Sequence, residues 1–89
     1  MKESKSLKIG DLSFKYTPDK SPGLGLIVSR HYGNAVRRNL FKRHCRSAFK
    51  TIIIDNNANY SLIVRPLKQD VSYGLICSAF KVIMEKISN

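Results

Sequence analysis

The sequence is poor in acidic residues. Six Asp and Glu stand against sixteen Lys and Arg, which gives the 89-residue chain a formal net charge of +10. A compact domain with this excess repels itself, so we expect a polyanionic partner that compensates the charge. Nucleic acid is the first candidate, and an anionic membrane surface is the second.

Long apolar runs are missing too. No stretch approaches the roughly 20 apolar residues that cross a bilayer, and residues 1–8 lack the apolar core of a signal peptide. Both features weaken the membrane alternative and predict a cytoplasmic protein. Hydrophobic residues still make up 43% of the chain, which is enough for a core. We therefore expect one folded domain over residues 1–89.

The chain offers little material for catalysis. Its cysteines, Cys45 and Cys77, are too far apart for a metal-ligand pattern. Both fall in helix-like apolar segments, where we expect small core residues and no disulfide. The histidines, His31 and His44, have no acidic companions, and neither a Ser-His-Asp set nor a P-loop is visible. We expect no catalytic residue and no bound metal in the polypeptide itself.

Apolar spacing predicts the secondary structure. Alternation over residues 7–17, broken near Gly10, is typical of two half-buried strands. The apolar run at residues 24–29 predicts a buried central strand, and residues 60–65 predict another. Helical spacing over residues 71–87 follows. With the helix described next, the order is β-β-β-α-β-α, an α+β fold with helices on one face of a small sheet of three or four strands.

Residues 35–54 predict a helix with one apolar and one cationic face. No acidic residue lies between Asp19 and Asp55, although solvated helices normally mix charges because opposite charges at i, i+4 stabilise them. A one-sided cationic face therefore indicates a ligand, and Asn39 and Arg43 form a second polar row on it. The first row consists of Arg38, Lys42, Arg46 and Lys50, and the opposite apolar arc of Phe41, Cys45, Ala48, Phe49 and Ile52.

The segment over residues 29–49 closely resembles the signature of the ribonuclease P protein family. Eleven positions in a 17-residue window match the family at its spacing, and the strand before the motif and the strand and helix after it also fit. The resemblance covers roughly residues 7 to 87. The matching positions are Gly33-Asn34-Ala35-Val36, Arg38-Asn39, Lys42-Arg43, Arg46 and Ala48-Phe49.

The resemblance implies the protein subunit of an endoribonuclease that removes the 5′ leader from precursor tRNA. In that family a large RNA is the catalyst and works with magnesium ions, so we expect no cofactor on the polypeptide and magnesium bound through the RNA. The motif helix binds the catalytic RNA, and a cleft on the sheet takes the single-stranded leader. A monomeric protein and a left-handed β-α-β crossover are implied as well.

Site residues follow from the resemblance together with the cationic face. We expect the catalytic RNA to contact Arg30, Arg37, Arg38, Asn39, Lys42, Arg43, Arg46 and Lys50. Aromatic rings could stack on unpaired leader bases, so we expect the cleft floor at Phe14 and Tyr16.

Two departures from the family pattern stand out. Leu40 occupies a position where the family usually has Arg. The family usually has a basic N-terminal helix, which forms one wall of the leader cleft, and we expect this helix to be absent here. We therefore expect near-normal association with the catalytic RNA and a weakened preference for precursor over mature tRNA.

Other functions fit the charge. A ribosomal or chaperone-like protein that binds structured RNA could use the same basic helix. Only the 17-residue motif favours a ribonuclease P protein over this alternative. A DNA-binding dimer would need a helix-turn-helix layout, which the strand-rich surroundings disfavour. A self-sufficient nuclease is disfavoured because carboxylates are not clustered.

Overall fold

A computed structural model of the chain describes residues 5–88 and shows a four-stranded sheet with two helices. The predicted element order, β-β-β-α-β-α, is confirmed. The elements are β1 Lys5–Ile9, β2 Leu12–Pro18, β3 Gly23–Leu26, α1 Ala35–Ala48, β4 Tyr60–Pro66 and α2 Tyr73–Ser88.

The strands lie in the order β1-β2-β4-β3. β1 and β2 are antiparallel, as are β2 and β4, whereas β3 and β4 are parallel. The chain between β3 and β4 is therefore a β-α-β crossover through α1, and the left-handed sense of this crossover stays a prediction.

β3 differs from the expectation of a buried central strand. Among the described residues it pairs with β4 alone, so it lies at an edge of the sheet. Leu24 and Leu26 are half-buried and Gly25 is exposed. The prediction was wrong because an apolar run shows that a strand is sheltered, whereas long-range pairing decides whether it is central.

The core lies on one face of the sheet, because side chains alternate along each strand. Leu12 and Phe14 of β2 and Leu62 and Val64 of β4 point into it. Both helices contribute to the same buried cluster. Phe80 of α2 meets Phe14 edge to face, with ring centroids 5.3 Å apart, an arrangement that aromatic pairs prefer.

The start of α1 is fixed by two neighbouring residues. Gly33 has φ of 155°, and a Cβ there would lie 2.8 Å from Cδ of Arg37, so the position favours glycine. The side chain of Asn34 accepts a hydrogen bond from the backbone N–H of Arg37 at 3.0 Å. This N-cap satisfies one of the free donors of the first helical turn.

The predicted helix over residues 35–54 is confirmed, with a change of geometry near its end. α1 continues directly into a π-helical segment, Phe49–Ile54. Its wider turn brings Phe49, Ile52 and Ile53 into the core. The predicted apolar arc is buried along its whole length, which fixes the opposite face of α1 towards solvent.

Candidate RNA interface

The outer face of α1 is cationic and open. Asn39, Arg43 and Arg46 are exposed on it, and Lys50 extends it into the π-helical segment. None of these cations forms an ion pair within residues 5–88. Arg side chains present paired donors that match phosphate oxygens. This face therefore offers uncompensated charge to an anionic ligand.

Arg38 and Lys42 lie at one flank of this face and are half-buried. The Nε atom of Arg38 is buried and has no hydrogen-bond partner among the described residues. The predicted row of four cations is thus uneven: Arg46 and Lys50 are open to solvent, whereas Arg38 and Lys42 are only partly accessible.

Arg37 lies at the other flank and is paired. Its Nη1 is 3.3 Å from a carboxylate oxygen of Asp70, in the loop before α2. The two residues are 33 positions apart in sequence, so no local pattern predicted the contact. Arg30 is exposed and lies outside α1, in a short 3-10 helix, Arg30–Tyr32, that precedes it.

Tyr32 anchors this end of α1 to the loop that holds Asp70. Its ring packs on Phe41 with centroids 5.0 Å apart. Its hydroxyl oxygen accepts a hydrogen bond from the backbone N–H of Val71 at 3.1 Å. Burial raises the pKa of Tyr32 above its ordinary value. These contacts make Tyr32 a structural residue that joins the buried side of α1 to the loop before α2.

The predicted floor of the leader cleft needs correction. Phe14 is 0% exposed and packs against Phe80, so its ring cannot stack on RNA bases. Tyr16 is half-buried on the same face and lies against Tyr60, with ring centroids 6.2 Å apart. The placement of Phe14 in an open cleft was wrong because the helices cover the apolar face of the sheet.

The opposite face of the sheet is open and carries cations. Lys8, Ser13 and Arg65 lie side by side across β1, β2 and β4. Lys15 lies opposite Ile63 in a neighbouring row of the same face, and both are exposed. These cations were not predicted from the sequence, although their alternation with the core residues of β2 is a signal that could have found them.

A cavity of about 470 Å³ lies where β3 and β4 end. Arg65 lines it and connects it to the open sheet face, and Leu67 and Lys68 line the side that follows β4. Gln69 donates a hydrogen bond from Nε2 to the backbone oxygen of His31 at 2.6 Å, which joins the two walls. The cavity combines apolar and cationic groups at one end of the sheet.

The described residues hold neither a metal-ligand cluster nor a membrane-spanning helix. Within residues 5–88, no three His, Cys, Asp or Glu side chains are grouped to hold a metal ion. No helix in the same range is long and apolar enough to cross a membrane. Cys45 is buried and Cys77 half-buried, and both thiols are free.

A small basic α+β protein with a helix face whose cations form no ion pair within residues 5–88 has the features of a nucleic-acid-binding protein. The family model of ribonuclease P matches residues 1–88. The chain belongs to the ribonuclease P protein family. Members of that family are the protein subunit of ribonuclease P, which processes the 5′ end of tRNA.

Curated relatives agree with this assignment. The ribonuclease P protein component of Finegoldia magna is 30% identical over 76 residues, which are 83% of this chain and 67% of the relative. That of Shouchella clausii is 37% identical over 65 residues, which are 71% of this chain and 53% of the relative. The aligned part of the chain thus spans about two thirds of one relative and about half of the other.

Solved structures show the same fold. The ribonuclease P protein of Thermotoga maritima superposes with a TM-score of 0.77 at 22% identity, covering 94% of this chain and 84% of that one. That of Staphylococcus aureus superposes with a TM-score of 0.75 at 23% identity, covering 97% and 84%. The α+β architecture expected from the sequence is therefore that of ribonuclease P proteins.

Proposed function

We propose that this chain binds the catalytic RNA of ribonuclease P through the outer face of α1 and assists removal of the 5′ leader from precursor tRNA. The observation that carries the proposal is the exposed charge of Arg43 and Arg46, which form no ion pair within residues 5–88 and lie on a helix without an acidic residue. Arg neutralises phosphates and releases their condensed counterions, which drives association with RNA. Family membership supplies the identity of that RNA.

The division of labour that we propose leaves the chemistry to the RNA. Magnesium is bound through the RNA, and the polypeptide contributes charge neutralisation and positioning as a monomer in the cytoplasm. The scattered acidic residues of the chain support this division, because a metal-dependent nuclease site in protein needs clustered carboxylates.

We place the leader on the open face of the sheet. Lys8, Lys15 and Arg65 would face its phosphates, and the cavity at the end of β4 continues this surface. A positively charged groove that follows the backbone is a common way to hold single-stranded RNA. This placement replaces the covered face, where Phe14 and Tyr16 lie.

Reconstitution tests the function as a whole. The chain is mixed with a bacterial catalytic RNA and precursor tRNA at low magnesium, and 5′ cleavage is followed. We expect the protein to stimulate cleavage by the RNA and to cleave nothing alone, with or without magnesium. Absence of stimulation at saturating protein, or cleavage by RNA-free protein, would contradict the proposal.

Lys15→Ala tests the leader surface separately. We expect the assembled enzyme to lose a few-fold in affinity for precursor tRNA, because one phosphate contact is lost, with affinities for mature tRNA and the catalytic RNA unchanged. Lys81→Ala is the matched control, because it removes one exposed lysine charge from α2, away from the open face of the sheet. Equal losses for precursor and mature tRNA would show that the open face does not hold the leader.

A further inference from the structure

Two apolar side chains border the cationic face of α1. Val36 is 75% exposed and Leu40 is 43% exposed. They stand four residues apart and therefore form one continuous apolar ridge on the helix surface. A single exposed aliphatic side chain is ordinary. A ridge of two beside cations that form no ion pair within residues 5–88 needs an explanation that covers both features.

The ridge borders a hollow of about 450 Å³. Val36, Asn39, Leu40, Arg43 and Arg46 line it together. The hollow thus offers an apolar side, an amide that both donates and accepts hydrogen bonds, and two guanidinium groups. A complementary ligand is apolar where it meets Leu40, polar at its edge, and anionic around it.

A second copy of this chain does not fit these requirements. It would bring Arg43 and Arg46 against like charges on a chain whose net charge is +10, and like charges across an interface are unfavourable. A phosphate group alone does not fit either, since an aliphatic side chain gives it no compensating charge. An unstacked nucleobase fits all three features, because its π-face is apolar, its edge forms hydrogen bonds and its neighbours are phosphates.

We propose that the ridge of Val36 and Leu40 packs against an unstacked base of the catalytic RNA. Asn39 meets the edge of that base, and Arg43 and Arg46 bind the phosphates on either side of it. This contact rests on the proposed docking of α1 onto the catalytic RNA and adds a requirement for an unpaired nucleotide at the docking site. Leu40 is therefore a residue that selects for the RNA partner.

Three substitutions at Leu40 test the proposal by affinity for the catalytic RNA over a range of salt concentrations. Leu40→Ala is expected to weaken binding about five- to tenfold, in keeping with the contribution of one stacked base, with an unchanged salt slope. Leu40→Met keeps the apolar contact and stays within about twofold of wild type. Leu40→Lys adds a charge but loses the contact, so it weakens binding and leaves the salt slope unchanged.

Leu75→Lys on α2 is the control, since Leu75 is 51% exposed and lies on the helix that is not proposed to dock the RNA. It measures the general effect of one added charge, and we expect less than a twofold change. Probing of the RNA bases with dimethyl sulfate and a carbodiimide, which together modify the pairing edges of all four unpaired bases, adds a structural readout: one unpaired base is protected by the wild-type chain and by Leu40→Met, and reactive with Leu40→Ala.

Specific outcomes would overturn the proposal. If Leu40→Lys tightens binding and steepens the log–log salt slope by about 0.7–0.9, the ridge faces a phosphate. If Leu40→Ala changes the sedimentation of the free protein and leaves RNA affinity intact, the ridge is an interface between copies. If Leu40→Ala has no effect while Arg43→Ala weakens binding, docking through α1 stands and only the base contact fails.

Discussion

The two helices bury similar faces and present different ones. α1 contributes Phe41 and Cys45 to the core, and α2 contributes Ile76 and Phe80 to the same cluster. Outside, α1 carries cations and no acidic residue, whereas α2 carries Glu85 four residues after Lys81. An i, i+4 pair of opposite charge is typical of a solvated helix. The inner faces therefore explain the fold, and the difference between the outer faces is the basis of the proposed function.

The largest effect should come from the inner face of α2. Phe80 is fully buried against Phe14, so Phe80→Ala is expected to lower the free energy of unfolding by about 3–5 kcal/mol. Arg43→Ala on the outer face of α1 should change it by no more than about 0.5 kcal/mol. Urea unfolding measures both. A stability loss for Arg43→Ala similar to that for Phe80→Ala would mean that the outer face of α1 also serves packing.

A smaller effect on stability is expected at alkaline pH, and it comes from the buried thiol of α1. Burial raises the pKa of the Cys45 thiol on α1 to about 12, whereas an unfolded chain loses this proton near pH 8.5. The folded state therefore keeps a proton that the unfolded state releases, so stability is lost as pH rises from about 9 towards 12, by roughly 1–3 kcal/mol. Cys45→Ala should make this fall shallower, as followed by urea unfolding at each pH.

Thiol labelling complements this measurement at neutral pH. Cys45 is buried in α1 and Cys77 only half-buried in α2, so Cys77 should react first with a thiol reagent. Cys45 should be labelled only when the protein unfolds. RNA binding by the folded protein should be unchanged after Cys77 is modified. Equal labelling rates for the two cysteines would show that α1 does not bury its inner face as described.

The smallest effect concerns the link between α1 and the loop before α2. Asp70 holds Arg37 at 3.3 Å, with both side chains more than half exposed. Such pairs contribute about 0–1 kcal/mol, so Asp70→Asn should barely change stability, and Asn tolerates the φ of 53° at this position. It should free Arg37 and tighten RNA binding slightly. An Arg37→Ala, Asp70→Asn double-mutant cycle isolates this coupling, and weaker RNA binding by Asp70→Asn would contradict the reasoning.

Local periodicity predicted the elements and the buried arc of α1. This was possible because the periods of helices and strands depend only on the spacing of nearby residues, such as Phe41, Cys45 and Ala48. The position of β3 at the edge of the sheet depends on pairing across the whole chain, which periodicity does not record. The contact of Arg37 with Asp70 depends in the same way on the packing of two distant segments.

The candidate site shows the same difference between local features, which were predicted, and long-range ones, which were not. The cationic face of α1 was predicted, because one helix carries it. The open face of the sheet was not, because Lys8, Lys15 and Arg65 come from three strands that only the register brings together. Phe14 was predicted to contact the leader because its side chain is aromatic, although its alternation with Leu12 already indicated the core.

The central claim is that the outer face of α1, and not that of α2, docks the catalytic RNA. The most direct measurement is the salt dependence of binding for Arg43→Ala/Arg46→Ala on α1 and for Lys81→Ala/Lys86→Ala on α2. Each double variant removes two charges, so both lower the net charge equally. We predict that the α1 variant binds more weakly and that its log–log salt slope falls by about 1.4–1.8, two contacts at about 0.7–0.9 each, while the α2 variant keeps the wild-type slope. Equal slopes for the two variants would contradict the claim.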